Sequence, residues 1–226
     1  RISWVLQQLH QAGADESILI DARPHIGTDM LRQVVKNLRT RIISLGGEVR
    51  FQHQLTGLQW EQDHLTGAIL ADQQVIPCSE LILAIGHSAR DTFEMLLQSR
   101  VPLAAKAFSM GVRIEHLQAD IDQAQYGQFA GNPYLPPADY RLSCHFPEGD
   151  SAYTFCMCPG GYVVAAASEA GGVVTNGMSE FRRDAVNANA ALLVTLEPAS
   201  FPVPGPLGGM YWQRQIEQRA FAAGGG

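Results

Sequence analysis

The chain has 226 residues, a formal net charge of −6 at neutral pH and 46% hydrophobic residues. This composition supplies enough apolar side chains for one large domain or two smaller ones. The acidic balance argues against contact with a phosphate backbone, so nucleic acid is not an expected partner. No apolar run approaches the ~20 residues of a membrane-spanning helix, and the four irregularly spaced cysteines do not form a disulfide framework, so a cytoplasmic protein is expected.

Residues 1–99 are predicted to have an α/β organisation. Helical periodicity indicates a helix at the start and a longer one that begins near Thr28 and stops at two glycines. Short strands with turn residues between them follow, as in a small antiparallel meander. The predicted elements are, in chain order, an amphipathic helix from residue 2, an apolar run at 18–20, a loop at 22–27, a helix over 28–45, strands at 49–51, 55–60, 68–70 and 74–77, and a buried return strand at 81–85.

The return strand, Leu81 to Ile85, leads through small residues directly into a helix. This strand-to-helix turn is how many α/β folds hold a dinucleotide, because glycine lets the backbone approach a ligand closely. Ser88, followed by Asp91, is a candidate helix cap. We therefore expect a partial Rossmann-like domain with a β-meander. The fingerprint G-x-G-x-x-G does not occur, and the chain starts without Met, so an internal fragment of a longer protein is expected.

From about residue 100 the pattern changes to that of an antiparallel β-rich domain. Apolar and polar residues alternate from Phe108 to Glu115, which is typical of a half-buried strand. Further strands are predicted at 140–146, 151–158 and 162–167, separated by Pro and Gly. Residues 198–209 are predicted to be a linker or ordered loop, and 210–226 to contain a helix that returns to the first domain. The predicted domains are therefore 1–99, 100–209 and 210–226.

Five segments are distinctive, in the order Ala22–Asp29, Gly46–Phe51, Ala84–Asp91, Cys156–Gly161 and Thr175–Ser179. In the same order they resemble segments of the poorly characterised bacterial FAD-dependent dehydrogenases, whose FAD domain carries an inserted β-rich domain. The resemblance covers most of the chain. It implies non-covalently bound FAD and an oxidoreductase of unknown substrate, with NAD(P)H as a candidate electron donor.

The resemblance also suggests which residues contact FAD. Gly86 is the preferred candidate, with Ala84, His87 and Ser88 as neighbours, against the alternative of a helix-entry glycine. Leu55, beside Gln54, is in the position where such flavoproteins pair a main-chain edge with the adenine; an ordinary edge strand explains it equally well.

Two further residues are candidates for catalysis. His25 lies in a rigid Pro-containing loop before a helix N-terminus, where an imidazole can act as a base, or else bond local backbone groups. Cys158 is a candidate thiol, and we expect it to be more exposed than Cys156. Because residues i and i+2 of a regular strand are ~6.5 to 7 Å apart, a disulfide between these two cysteines is disfavoured, and packed structural thiols are expected.

Arg113 is a candidate for binding a substrate carboxylate, with a cross-strand ion pair involving Glu115 as the alternative. The histidines have no partners at metal-ligand spacing, so no metal site is predicted. The sequence thus predicts an FAD-dependent oxidoreductase acting on a small molecule. The competing hypothesis is a flavoprotein-like scaffold without catalysis that binds a protein or RNA partner, and the acidic charge counts against RNA.

Overall fold

The computed structural model describes residues 1–147 and 149–226, which form α-helices and antiparallel sheets. The helices are α1 (Ile2–Gln11), α2 (Thr28–Ser44), α3 (Arg90–Gln98), α4 (Gln118–Tyr126) and α5 (Gly208–Ala223), with short 3-10 helices at Glu16–Leu19, Gly127–Phe129 and Pro198–Ser200. The strands are β1 (Leu55–Glu61), β2 (His64–Leu70), β3 (Val75–Pro77), β4 (Phe108–Leu117), β5 (Ser143–His145), β6 (Ser151–Cys158), β7 (Gly161–Ala165), β8 (Thr175–Ser179) and β9 (Asn187–Leu196).

The chain divides into two compact units. Unit 1 comprises residues 1–49, 109–167 and 173–195, and unit 2 comprises residues 50–108, 168–172 and 196–226. The domain boundaries predicted near residues 99 and 209 remain a prediction.

Unit 1 combines the N-terminal helices with a four-stranded sheet and a two-stranded sheet. The larger sheet has the order β4-β9-β6-β5, and β7 pairs with β8. The apolar stripes of α1 and α2 meet around Ile18 and Val34, which are both 0% exposed. Asn37 on α2 fixes this contact because its side-chain amide donates to the carbonyl of Ala12 at 2.8 Å. The predicted helices are confirmed here, since their 3.6-residue periodicity supplies one apolar face each.

Unit 2 contains the predicted meander, β1-β2-β3, together with α3 and α5. β1 lies at the edge of this sheet, as expected for the strand that begins at Leu55. An aromatic cluster joins the start of β4 to α5: the ring centroids of Phe108 and Phe201 are 5.4 Å apart, and those of Phe201 and Trp212 are 6.0 Å apart.

The predicted return strand at 81–85 is wrong. These residues form no strand, and Ile82 is 92% exposed. A strand becomes stable by pairing its N–H and C=O groups with a neighbour, and no described strand lies beside this run in the sheets. The Rossmann-like parallel sheet is therefore not confirmed. The short strand expected at 49–51 is likewise absent from the described structure.

An ion-pair network joins α3 to α5 and to the segment 168–172 within unit 2. Arg90 is 4% exposed and contacts Glu169 at 2.6 Å and Glu217 at 2.7 Å. Arg214 on α5 bonds both carboxylate oxygens of Glu169, each at 2.9 Å. Glu169 therefore lies between two guanidinium groups. Its hydrogen bonds with Arg214, and then those with Arg90, lower its pKa from the ordinary value of 4.5 to about 2.

We predict that Glu169→Gln destabilises the chain by about 1–3 kcal/mol, because it leaves the buried Arg90 without one of its two carboxylates. The pKa of Glu169 is lowered by folding, so its contribution is present above about pH 4.5 and is lost as the pH falls through 2. Urea unfolding at several pH values measures this. The difference from wild type should be full at pH 7 and should shrink below pH 4.5, whereas the exposed Glu61→Gln should unfold like wild type at every pH.

Candidate functional site

A cavity of about 430 Å³ in unit 1 brings together the loop before α2, the end of β6 and the β8 region. It is the candidate functional site. Its wall includes His25 and Cys158, the two residues predicted from sequence as catalytic. The full lining comprises Pro24, His25, Ile26, Gly27, Thr28, Leu31, Cys156, Met157, Cys158, Pro159, Gly177, Ser179 and Arg183.

Side chains of the loop before α2 and of the first turn of α2 bond the backbone of residues 179–181. Thr28 Oγ1 donates to the carbonyl of Ser179 at 3.2 Å, and a nitrogen of the His25 ring, Nε2, donates to the carbonyl of Glu180 at 3.0 Å. Asp29 accepts from the backbone N–H of Phe181 at 2.9 Å, and this hydrogen bond lowers the pKa of Asp29.

Glycine is required where this loop meets the β8 region. Gly27 has φ +86, and a Cβ there would lie 2.3 Å from the backbone nitrogen of Phe181. No other residue type fits both the left-handed conformation and this close approach. Gly27 is also the N-cap of α2, so the predicted cap Thr28 is instead the first helical residue.

The contact with Glu180 shows which ring nitrogen of His25 carries the hydrogen in this geometry. A carbonyl oxygen only accepts hydrogen bonds, so Nε2 must bear the hydrogen. In the neutral ring, Nδ1 is then the nitrogen that is able to take a proton. His25 therefore bonds a backbone carbonyl that is distant in sequence, where the alternative expected a local one, and it lines a cavity; its role as a base remains a prediction.

Cys156 and Cys158 both line the cavity, but their exposure is the reverse of that expected. Cys158 is 8% exposed and Cys156 is exposed. The expectation that both thiols are packed is thus wrong for Cys156. Cys158 Sγ donates to the carbonyl of Cys156 at 3.4 Å. Burial raises the pKa of the Cys158 thiol, as does the neighbouring Cys156, while Arg113 opposes both.

A buried polar pair lies behind the cavity wall. Asn189, on the central strand β9, is 0% exposed, and its Oδ1 accepts a 2.6 Å hydrogen bond from Arg113 Nη1. Arg113 also donates to the carbonyl of Cys156 at 3.4 Å. The alternative of a cross-strand ion pair is not what these contacts show, since across the strands Arg113 bonds the neutral amide of Asn189 and Glu115 accepts from the amide of Asn187 at 2.6 Å. Arg113 remains a predicted substrate contact.

Sequence reasoning missed Asn189 and Arg183. Asn189 stands within an alanine-rich apolar strand, and an amide in such a run is itself a signal of a buried hydrogen bond. Arg183 lines the cavity with φ +55, and its Nε is buried without a hydrogen-bond partner among the described residues. Nothing in the sequence around Arg183 distinguishes it from the adjacent Arg182.

The predicted FAD contacts Leu55, Ala84, Gly86, His87 and Ser88 all belong to unit 2. Gly86 has φ +68, and an added Cβ would have nothing within 4 Å. Glycine is therefore favoured there by its left-handed backbone conformation, and not by a close protein neighbour. The prediction that Ser88 caps the next helix is wrong: α3 begins at Arg90, its N-cap is Ala89, and the Ser88 hydroxyl instead lies 3.4 Å from His87 Nε2. The reason is that the helix starts one residue too late for Ser88 to reach its first amides.

His87 lines a second, largely apolar cavity of about 260 Å³ in unit 2, together with Phe93, Leu103, Ala104, Lys106, Phe108, Phe201, Pro206, Leu207, Gly209, Met210 and Gln213. Within residues 1–147 and 149–226, no group of three or more His, Cys, Asp and Glu side chains is arranged to hold a metal ion. None of the helices in these same residues has the length and apolar character needed to cross a bilayer.

Comparison with known proteins defines the class to which this chain belongs. Residues 107–226, which include β4 to β9 and α5, match the family described as FAD-dependent protein, C-terminal domain-like. The chain belongs to this family. It is also 49% identical, over 227 aligned residues, to an uncharacterized protein of Clostridium beijerinckii. The alignment covers 100% of this chain and 42% of that relative, so the chain spans less than half of the relative's length.

The family confirms the coarser part of the predicted resemblance, which is a relationship to FAD-dependent proteins. The dehydrogenase activity was the finer part, and it remains a prediction.

We predict that Gly177→Ala destabilises unit 1 by about 1–3 kcal/mol through overpacking. The new Cβ would lie 2.2 Å from Asn189 Oδ1, 2.3 Å from Arg113 Nη1 and 2.8 Å from Cys158 Sγ. Displacement of these groups should also make the buried Cys158 react faster with a thiol reagent.

The matched control is Gly172→Ala, whose Cβ would make only ordinary contacts at 3.6 Å or more. Urea unfolding and the rate of thiol labelling check both variants. Equal stability and equal labelling rates in Gly177→Ala and wild type would show that Asn189, Arg113 and Cys158 are not tightly packed around residue 177.

Proposed function

We propose that the chain is part of an FAD-dependent oxidoreductase and that the unit 1 cavity is where its redox chemistry takes place. The observation that carries this proposal is that His25 and Cys158, from distant parts of the chain, line one cavity. Membership of the FAD-dependent family supports flavin as the cofactor. The substrate is a small molecule, and NADH or NADPH is the proposed electron donor.

The residues of the cavity fit the ring end of a flavin. Its volume of about 430 Å³ lies in the range of small-molecule sites. Arg183 offers a cation whose buried Nε has no partner among the described residues, and such a donor suits the carbonyl oxygens and ring nitrogens of the flavin pyrimidine. When bound, FAD supplies the hydride-transfer chemistry, and the protein supplies orientation and charge.

Two residues of the cavity wall, Arg183 and His25, have proposed roles, as does Arg113 behind the wall. Arg183 binds and orients the pyrimidine edge. His25 exchanges a proton at Nδ1, because its Nε2 hydrogen is held by the Glu180 carbonyl. Arg113 is proposed to bind a substrate carboxylate.

Within unit 2, Leu55, Ala84, Gly86, His87 and Ser88 remain proposed FAD contacts. The left-handed φ of +68 at Gly86 and the open space around it are compatible with backbone approach to a ligand. We also propose a cytoplasmic location, since all four cysteines are free.

Riboflavin tests the cavity directly, because it carries the flavin ring without the adenine end. We expect Arg183→Met to weaken riboflavin binding to the chain at least tenfold, measured by fluorescence titration, which corresponds to about 1.4 kcal/mol. The control is Arg182→Met, which removes the same charge from the adjacent, exposed residue and should bind within twofold of wild type. Circular dichroism confirms that both variants are folded. Equal affinity in all three proteins, or no binding by wild type up to the solubility limit of riboflavin, would contradict the proposed ring site.

A second experiment separates the oxidoreductase from the non-catalytic scaffold. The flavin-loaded protein is mixed with NADH or NADPH without oxygen, and the absorbance of the oxidised flavin is followed. Bleaching within seconds to minutes supports the oxidoreductase. Flavin that stays oxidised with both nicotinamides, but is bleached by dithionite, favours the scaffold or another electron donor class.

A further inference from the structure

Strand β6 carries a β-bulge at its cysteines. Phe155 pairs with Ala191 and Cys158 pairs with Asn189, so three steps along β6 match two steps along β9. Cys156 has φ +49, a left-handed conformation that is uncommon for a residue other than glycine. The bulge shortens β6 between Phe155 and Cys158 relative to a regular strand. The expectation against a disulfide was based on the residue spacing of a regular strand, so it does not apply here.

The two cysteines are two residues apart in the chain and differ in solvent exposure. Cys156 is exposed, whereas Cys158 is 8% exposed, and both line the unit 1 cavity. The Cys158 thiol turns back along the chain to donate to the carbonyl of Cys156 at 3.4 Å. One thiol is thus open to a reagent in solvent, and the second is held beside it and shielded.

We propose that Cys156 and Cys158 form a reversible intramolecular disulfide by exchange with a low-molecular-weight disulfide. Cys156 is the attacking residue and Cys158 the resolving residue. This inference concerns this chain's own thiols, and it holds whether or not the cavity binds flavin.

The exchange balances in two steps. The Cys156 thiolate attacks one sulfur of the small disulfide, which forms a mixed disulfide and releases one small thiol. Cys158 then loses its proton to solvent and attacks the Cys156 sulfur, which releases the second small thiol. Two protein thiols are oxidised, one small disulfide is reduced to two thiols, and no other oxidant is needed.

The surroundings act on the second step in opposite directions. Burial raises the pKa of the Cys158 thiol and so disfavours its thiolate, and the Arg113 guanidinium offsets this only in part. Arg113 also donates to the carbonyl of Cys156 at 3.4 Å, which helps to hold the bulge. Cys156 is exposed, and disulfides in exposed positions are the more easily reduced ones.

The test equilibrates the full chain with glutathione buffers of increasing oxidised fraction, without oxygen, and traps free thiols with a maleimide before mass spectrometry. We expect a species with two thiols unlabelled, two hydrogens lost and no glutathione attached, whose disulfide peptide contains both Cys156 and Cys158. Dithiothreitol should restore four labelled thiols. In Cys158→Ser, a glutathione adduct should accumulate on Cys156, because the resolving thiol is missing. In Cys156→Ser, Cys158 should remain largely unmodified.

Cys144→Ser is the matched control, since Cys144 is also exposed on a strand of the same sheet, and it should oxidise like wild type. The proposal is overturned if oxidation gives only glutathione adducts in the wild-type chain, or if the disulfide involves Cys144 or Cys78. Repeating the oxidation with the Arg183→Met variant separates this proposal from the flavin proposal, because disulfide formation should survive a loss of riboflavin binding.

Discussion

The buried amide of Asn189 is the constraint on which the arrangement of unit 1 depends. β9 is flanked by β4 and β6, so Asn189 is removed from water on every side, and its exposure is 0%. A buried amide is stabilised by hydrogen bonds inside the protein, and Asn189 makes its bond at Oδ1, whereas its Nδ2 has no partner among the described residues. Arg113 on β4 supplies the Oδ1 bond at 2.6 Å, and Gly177 must lack a side chain to leave room for this pair. The same packing holds Cys158, so the rear of the cavity is positioned by one polar residue.

The front of the cavity is positioned differently, through backbone atoms. The loop before α2 bonds the main chain of residues 179–181, and Gly27 permits the close approach. Contacts of this kind place no demand on the side chains at 180 and 181. The sequence singled out Ala22–Asp29 and Thr175–Ser179 as motifs, but their local patterns do not show that they meet. The cavity shared by His25 and Cys158 emerges only from the structure.

Local periodicity explains what the sequence could and could not predict. α2, α5, the meander and the strand from Phe108 are each specified by their own apolar pattern, and all were predicted. The run Leu81–Ile85 has the pattern of a buried strand, but a strand also needs a neighbour to pair with, which its own residues do not encode. β9 was missed for the opposite reason: its alanines favour a helix, and its place between two strands overrides that preference.

The bulge at Cys156 could not be predicted for the same reason. It is a shift in the pairing register of β6 and β9, and a register depends on both strands, so the sequence of one strand does not determine it. The bulge also connects the proposed disulfide with the proposed flavin site, because both involve the same wall of the cavity. Cys156 and Cys158 lie on that wall, so their oxidation changes the surface that a bound flavin ring would contact. Thermodynamic linkage then requires reciprocity: a ligand that prefers the dithiol form must make the disulfide harder to form by the same factor. A cavity built on this bulge is thus able to couple the redox state of its thiols to its occupancy.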